Sequence, residues 1–229
     1  MKGLLLINKP NGWTSFDVVN YVRRQAALAE DVLPKSIKVG HCGTLDPFAT
    51  GLLIVLVGRE YTRVAKQYTG LDKVYEVTAR LGLVSTTGDS EGQIKHVNGS
   101  RPDKAVIVNV LEKLTGTILQ KPPAHSAVKV NGQRAYKLAR SGKSLQLLPR
   151  QVTVYGLTLK SYRYPDLQLT AHVSSGTYIR SLVYDLGKML HSGAYTIALK
   201  RTQVGEYKLD KAHEVAQLTS ENISDLLQK

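Results

Sequence analysis

Hydrophobic residues in this chain fall into short runs and alternating segments, the pattern typical of β-strands. Residues 3–7 and 52–57 are uninterrupted apolar runs, and their length and branched side chains predict buried strands. Residues 73–82 alternate instead and predict a strand with Tyr75 and Val77 on the same side. Three later segments also predict strands, the first two paired antiparallel: QVTVYGLTLKSYRY at 151–164, LQLTAHVSSG at 167–176 and YTIALKRTQVGEYKL at 195–209.

Other segments place apolar residues at helical spacing. Residues 16–28 follow Thr14 and Ser15, either of which is suited to cap a helix. Residues 59–70 predict a short helix that ends at Gly70. Helices are also predicted in RPDKAVIVNVLEKLTG at 101–116, in TYIRSLVYDLGKML at 177–190 and in two short pieces at the end of the chain. Hairpins mixed with separate helices predict an α+β fold with a mostly antiparallel sheet.

One stretch, VGHCGTLDPFATGLL at 39–53, places His41, Cys42, Thr44 and Asp46 on a turn beside a predicted core strand. Cys42 lacks the partners of a cysteine enzyme, which favours an incidental thiol. His41 lacks the spacing of a metal ligand, because the 6 histidines are scattered. Asp46 precedes a proline, where an aspartate commonly starts a turn. The pattern alone therefore leaves a turn-forming and a catalytic role open for Asp46.

The charge of the chain points to a polyanionic partner. Its 31 Lys and Arg against 18 Asp and Glu leave a net charge of +13. Each phosphate that Lys or Arg neutralises releases counterions, so an excess of this size favours nucleic acid over a basic surface kept only for solubility.

Several classes of site and location are disfavoured. A single cysteine excludes a disulfide within the chain and a multi-cysteine zinc site. No GxxxxGK[ST] loop and no GxGxxG after a strand is present, so a nucleotide cofactor is not expected. The scattered histidines, without HxH or HExxH spacing, likewise disfavour a metal. The apolar runs are too short to span a bilayer, and Asn8, Lys9 and Pro10 interrupt the N-terminal run before a signal-peptide core forms. A cytoplasmic protein without membrane association is predicted.

Length and composition fit one large domain or two small ones. The chain has 229 residues, 42% of them hydrophobic, and no repeat or long linker. Residues 120–150 mix proline, glycine and basic residues with few large apolar groups. They predict a protruding basic subdomain with a hairpin turn at Asn131 and Gly132, followed by a helix through 134–140.

Two further residues have open interpretations. Arg180, in SSGTYIRSLVYDLG, lies where a predicted strand meets a helix and could hold a carboxylate or be an ordinary surface arginine. Tyr75 lies within a predicted strand and could stack on a flipped base or fill the core.

Five segments carry a recognisable pattern in this order: NKPNGWTS, GHCGTLDPFATGLL, DKVYEVTARLGLVSTTGD, PPAHSAVKVNGQRAYKLARSG and SSGTYIRSLVYDLG. Together they resemble the TruB family of bacterial tRNA pseudouridine-55 synthases, from the first residues to about Tyr207. The pattern GxLDPxATGxL distinguishes this branch from the rRNA synthases, whose RLD core has different flanks.

The resemblance implies an isomerase that converts the uridine at position 55, in the T-loop of tRNA, to pseudouridine without a cofactor or a metal. It implies an α+β pseudouridine synthase fold, in which helices and loops flank a long curved, mainly antiparallel sheet. The basic insertion, here 120–150, grips the RNA. The catalytic aspartate falls on Asp46 and acts on a flipped-out base. Whether its carboxylate attacks the sugar, attacks the base or removes the C2′ proton stays open.

The resemblance also implies roles for the substrate-binding residues. Arg180 pairs with the Asp46 carboxylate and keeps it ionised, and Tyr75 stacks on the target base. His41 fills the gap that the flipped base leaves in the T-loop. The remaining positions line the pocket (Tyr178 and Leu199), lie near the RNA (Asp89), or have a structural or RNA-facing role (Lys9).

Relatives generally continue into a C-terminal RNA-binding PUA domain, whereas only EVAQLTSENISDLLQK follows the catalytic sequence here. We therefore expect a single catalytic domain over 1–229 without a PUA domain. It is expected to bind the T-arm of tRNA as a monomer with no obligate protein partner. Two alternatives are an RNA-binding or RNA-folding factor, which has no need of the Asp46, Tyr75 and Arg180 set, and a guide-directed synthase, whose branch relies on the C-terminal module.

Overall fold

The computed structural model describes residues 1–97, 99–123, 126, 128–130, 133–135 and 147–229 in two compact units. Unit 1 comprises Met1–Tyr75 and Leu199–Lys229, and unit 2 comprises Glu76–Ala198. The α-helices are α1 (Ser15–Ala29), α2 (Arg59–Arg63), α3 (Ala65–Thr69), α4 (Lys104–Lys113), α5 (Ile179–Met189) and α6 (Ile223–Leu226). The strands are β1 (Gly3–Lys9), β2 (Val39–Cys42), β3 (Thr50–Val57), β4 (Lys73–Leu81), β5 (Leu83–Ser85), β6 (Ile94–His96), β7 (Gly116–Gln120), β8 (Lys129–Val130), β9 (Gln133–Arg134), β10 (Arg150–Arg163), β11 (Asp166–Val173), β12 (Ala194–Val204), β13 (Tyr207–Lys208) and β14 (His213–Glu214).

In unit 1, β1 and β3 form a full-length antiparallel pair that ends with Lys9 opposite Gly51. β2 pairs antiparallel with the second half of β3, whereas β12 and β14 make short parallel pairings with β3 and β1. Apolar residues on one face of β1 and β3 pack against α1. Those on the other face pack against residues that include Tyr61 and Tyr68, from α2 and α3. The core of unit 1 therefore lies on both faces of a mostly antiparallel sheet.

Helix α1 begins where two polar side chains satisfy each other's free N–H groups. The Thr14 hydroxyl accepts from the Asp17 amide at 3.1 Å, and the Asp17 carboxylate accepts from the Thr14 amide at 2.8 Å. Thr14 is therefore the cap, and Ser15 is the first helical residue.

In unit 2, the strands lie in the order β4, β11, β10 and β7, and β4 contributes residues to both units. β10 pairs antiparallel with β11 and, at its start, with β7, where Arg150 lies opposite Gln120. Apolar side chains of α4, α5, β10 and β11 meet around one small cavity: Leu111, Leu114, Leu157, Leu169, Ile179, Leu182, Val183 and Leu186. These helices thus cover one face of the strands.

The predicted α+β class is confirmed, and Tyr75 and Val77 share a buried face of β4. The predicted hairpin is also found, since β8 and β9 pair with Val130 opposite Gln133. Its turn residues, most of the helix predicted at 134–140 and much of the insertion lie outside the described residues. Within the described part, no helix combines the length and apolar character needed to cross a membrane. The single-domain organisation stays a prediction.

Three predicted elements are wrong in detail. His41 and Cys42 belong to β2 and not to the turn, because their backbone pairs with β3. The helix predicted at 59–70 is two short helices that meet at Val64. The strand predicted at 195–209 is interrupted after Val204, since Gly205 has φ 53° and turns the chain back into β13. Strands β5, β6, β7 and β14 were not predicted.

Candidate active site

Asp46 lies half-buried on a bend between β2 and β3, here called the Asp46 bend and defined as residues 43–49. The Ala49 amide donates to the Asp46 carbonyl at 3.1 Å, so the residue does form the turn that its Asp-Pro sequence predicts. A turn held only by hydrogen bonds among its own residues would be easily deformed. Three buried polar side chains from other elements also hold this one.

The first is Lys9, at the end of β1. Its side chain is fully buried, and Nζ donates to the carbonyls of Pro10 (2.9 Å), Trp13 (2.6 Å) and Pro47 (3.2 Å). The Gly12 amide donates to the same Pro47 carbonyl at 2.9 Å. A buried ammonium needs such partners, and one of them directly follows Asp46. Of the two roles expected for Lys9, these contacts support the structural one.

The second is Ser15, at the start of α1, which is 2% exposed. Its hydroxyl accepts from the Leu45 amide at 2.9 Å and donates to the Leu45 carbonyl at 3.2 Å. Both polar backbone atoms of the residue before Asp46 are thereby bound by one side chain. Lys9 and Ser15 together fix the backbone on either side of the carboxylate.

The third is Arg201 of β12, which is 1% exposed. Its guanidinium donates from Nε to the Leu52 carbonyl at 2.7 Å and from Nη2 to the Gly43 carbonyl at 3.0 Å. Gly43 is the first residue of the Asp46 bend, and Leu52 lies in β3 shortly after the bend ends. Gly51 has φ 100°, and a Cβ there would fall on the Arg201 backbone, so only glycine fits this close approach.

Lys73 lies beside Arg201 under Gly43, so two cations are buried below the bend. Lys73 Nζ donates to the carbonyl of Thr69 at 2.7 Å and to that of Leu71. Burial, followed by the charge of Arg201, lowers the pKa of Lys73 to about 8. Burial raises the pKa of the nearby Cys42 thiol to about 11, so Cys42 is a protonated, unreactive filler at neutral pH.

The lowered pKa of Lys73 predicts a specific dependence of stability on pH. Between about pH 8 and 10.5 the unfolded chain carries a proton on Lys73 that the folded chain has lost, so folding becomes more favourable as pH rises. We expect the free energy of unfolding of the native protein, minus that of Lys73→Met, to increase by about 3 kcal/mol from pH 7 to pH 10.5. Urea titrations at each pH measure it.

The matched control is Lys200→Met, which removes an exposed lysine of the same strand as Arg201. Its difference from the native protein should stay flat over the same range. A flat difference for Lys73→Met as well would contradict the lowered pKa.

The structure places the other predicted site residues in both units. Tyr75 on β4 and Leu199 on β12 are buried, at 8% and 7% exposure, and His41 is half-buried on β2; all three belong to unit 1. Tyr178, half-buried, immediately precedes α5 in unit 2. Their substrate contacts stay predictions.

Asp89 and Arg180 form a buried ion pair within unit 2. Arg180 Nη1 lies 2.9 Å from Asp89 Oδ2 and also donates to the Thr87 carbonyl at 2.8 Å. The Arg180 side chain is 5% exposed and that of Asp89 is 3% exposed, so Arg180 is not an ordinary surface arginine. The second Asp89 oxygen accepts from the Thr87 hydroxyl and, at 3.0 Å, from the Glu91 amide. Asp89 therefore orients Arg180, whereas the pairing of Arg180 with Asp46 stays a prediction.

Three residues of this arrangement escaped the sequence analysis: Arg201, Lys73 and, in its contact with Leu45, Ser15. Ser15 carried a signal only as a possible helix cap, and the two cations lie in ordinary strand patterns. Among the described residues, no group of three or more His, Cys, Asp and Glu side chains is arranged to hold a metal ion.

Comparison with known proteins gives a consistent result. A profile described as TruB family pseudouridylate synthase (N terminal domain) matches residues 31–179, and one described as tRNA pseudouridylate synthase B C-terminal domain matches 180–227. The chain is 43% identical to a tRNA pseudouridine synthase B of Thermobifida fusca, covering 96% of this chain and 75% of that protein. A tRNA pseudouridine synthase B of Aquifex aeolicus is 40% identical, and the match covers 97% of this chain and 75% of that protein.

Among solved structures, the crystal structure of a Cbf5-Nop10-Gar1 complex contains a chain that superposes with a TM-score of 0.71 at 28% identity. The match covers 94% of this chain and 53% of that one, so the present chain spans about half of that protein.

Proposed function

Because the chain belongs to the TruB family of pseudouridylate synthases, we propose that it isomerises the uridine at position 55, in the T-loop of tRNA, to pseudouridine. Asp46 is the catalytic carboxylate in this proposal and acts on a flipped-out base. No cofactor takes part.

The observation that carries the proposal is the support of the Asp46 bend by Lys9, Ser15 and Arg201. Burying a lysine and an arginine is costly unless their hydrogen bonds are made, and here those bonds go to the backbone around one carboxylate. A turn that only connected two strands would have no use for this support. Preorganised geometry is what a catalytic group requires, since a displacement of 1 Å can cost about 100-fold in rate.

The reaction itself is an isomerisation that balances within the nucleoside. The glycosidic bond from C1′ to N1 breaks, the uracil rotates, and a bond from C1′ to C5 forms. The C5 hydrogen leaves as a proton, and N1 gains one. An anionic carboxylate can start this sequence by attacking the sugar, by attacking the base or by removing the C2′ proton, and all three routes remain compatible with Asp46.

Other residues would serve the flipped nucleotide. Tyr75 offers a buried aromatic face for stacking, and Leu199 and Tyr178 would line the pocket. Arg180 would keep the Asp46 carboxylate ionised, with Asp89 fixing the guanidinium. His41 would occupy the place that the base vacates in the T-loop.

The choice of tRNA as substrate is supported by similarity and charge. Identity is 43% to the Thermobifida fusca tRNA enzyme, against 28% to the Cbf5 chain, over most of this chain in both cases. This difference supports the choice of a tRNA enzyme. The net charge of +13 suits the phosphates of the T-arm. A cytoplasmic monomer without an obligate protein partner completes the proposal.

The test uses tRNA transcripts labelled with tritium at C5 of uridine. Formation of the C1′ to C5 bond releases the tritium to water, so release measures isomerisation. Mapping the product by primer extension after carbodiimide treatment locates the pseudouridine. A transcript with cytidine at position 55 is the matched control. Release from the first transcript and not from the second is expected, whereas pseudouridine at another position would overturn the T-loop assignment.

The alternative is an RNA-folding factor in which chemistry is absent. It predicts tRNA binding without tritium release from any tRNA. The presence of Asp46, Tyr75 and Arg180 disfavours this alternative, because binding RNA requires no carboxylate held in this way.

A further inference from the structure

Gln120, the last residue of β7, is 2% exposed and has no role in the proposal above. Its side-chain amide makes two hydrogen bonds to the backbone of one residue, Tyr178. The Tyr178 amide donates to Gln120 Oε1 at 2.7 Å, and Gln120 Nε2 donates to the Tyr178 carbonyl at 3.1 Å. The buried side-chain amide thereby accepts one hydrogen bond and donates another, as a residue of a neighbouring strand would do with its backbone.

The residue held in this way lies at the start of α5. The Tyr178 carbonyl also accepts the first hydrogen bond of that helix, from the Leu182 amide at 3.1 Å. Arg180 follows two residues later, in the first turn of the helix. Fixing the Tyr178 backbone therefore fixes both the direction of the tyrosine side chain and the origin of the helix that carries Arg180.

The strand pair β7–β10 holds the preceding turn as well. The Thr153 amide of β10 donates to the Ser174 hydroxyl at 2.9 Å, and the Ser174 amide donates to the Thr153 carbonyl at 2.8 Å. The Ser181 hydroxyl of α5 donates to the carbonyl of Lys121, just beyond β7, at 2.9 Å. Residues 174–181 are thus bound at three points by these strands and the residue that follows β7.

We propose that Gln120 is a positioning residue for the isomerisation: it orients Tyr178 and the first turn of α5, and so sets the rate of the chemical step without contributing to RNA affinity. This assignment rests on the proposed function. Gln120 does not meet the nucleotide in this role; it acts only through the backbone that it binds. Because its two bonds are directional, a side chain of equal size without them would fill the space but leave the Tyr178 backbone unfixed.

The experiment compares three variants with the native protein. Gln120→Met keeps the length of the side chain and removes both bonds; Gln120→Glu keeps the acceptor for the Tyr178 amide and loses the donor to its carbonyl. The matched control is Gln151→Met, an exposed glutamine of β10. Tritium release is measured in single turnover with enzyme in excess over labelled tRNA. Its rate constant at saturating enzyme reports the chemistry, and a urea titration reports the stability of each folded variant.

We expect the rate constant to fall about 10- to 100-fold in Gln120→Met, to fall less in Gln120→Glu and to be unchanged in Gln151→Met. The Kd for tRNA should stay within about twofold in all three, because no basic group changes. In protein labelled with ¹⁵N-tyrosine, the Tyr178 amide should exchange faster in Gln120→Met, since its acceptor is gone.

The results that would contradict this assignment can be distinguished from one another. A native rate constant in Gln120→Met, with only the free energy of unfolding reduced, would show that Gln120 merely stabilises the fold and would overturn the assignment. Weaker tRNA binding with an unchanged rate constant would overturn it as well, in favour of an RNA-binding role. Absence of tritium release from the native protein would overturn the proposed function and, with it, this assignment. If Gln120→Met does not fold, the same criteria apply to Gln120→Glu.

Discussion

Replacing Asp46 by asparagine is expected to lower the single-turnover rate of tritium release by at least about 1,000-fold while tRNA still binds. Asparagine has nearly the same shape, and the bonds that hold the bend go to backbone atoms of Leu45 and Pro47, so the bend should persist. What is lost is the anionic oxygen, and each proposed route depends on it. Affinity for tRNA should be equal or slightly tighter, because a negative charge is removed from the surface that we propose to face the RNA.

The matched control is Asp210→Asn, which neutralises an exposed aspartate of unit 1 and should leave the rate unchanged. Gel-shift titration and the melting temperature complete the comparison. Turnover that survives Asp46→Asn would remove the central assignment, whatever the behaviour of the control.

Removing the Asp89 carboxylate is expected to cost both stability and activity. Asp89→Ala leaves the guanidinium of Arg180 buried, with the Thr87 carbonyl but without its carboxylate partner. An uncompensated buried charge of this kind costs about 3–5 kcal/mol of unfolding free energy. Because Arg180 also loses its orientation, the rate of tritium release should fall in the same variant. Urea titration gives the first quantity, and single-turnover kinetics give the second.

The double variant Asp89→Ala with Arg180→Met separates the two effects. It removes the orphaned charge, so much of the lost stability should return, whereas activity should not. If the double variant were no more stable than Asp89→Ala alone, the stability argument from the buried charge would be wrong. If its activity returned, the role of Arg180 beside Asp46 would be wrong.

Much of the fold could be predicted from the sequence because buried positions carry apolar side chains and exposed positions mostly carry polar ones. The apolar run of β3 and the alternation of β4 follow directly from which faces are buried. β2 was mistaken for part of a turn, since its glycine and reactive side chains suggest a bend, but pairing with β3 outweighs that local preference. Asp46 was chosen as the candidate catalytic residue because it lies in a distinctive motif, and that role stays a prediction.

The support of the candidate site could not be predicted, for a different reason. Ser15 bonds to Leu45, Arg201 to Gly43 and Gln120 to Tyr178, and in each case the partner is a backbone atom. Every residue except proline offers the same backbone groups, so no residue type marks the partner. Only the three-dimensional path of the chain brings them within reach.

The same feature has a consequence for mutational robustness. Lys9, Ser15 and Arg201 hold the Asp46 bend by backbone carbonyls, which every amino acid provides, and by one backbone N–H, which every amino acid except proline provides. An exposed side chain of the bend, that of Thr44, can therefore diverge between lineages or be altered by an engineer without displacing the carboxylate. If Asp46 is the catalytic carboxylate that we propose, variation at exposed positions of the bend is thereby uncoupled from its geometry, and substrate preference is free to change around a fixed carboxylate.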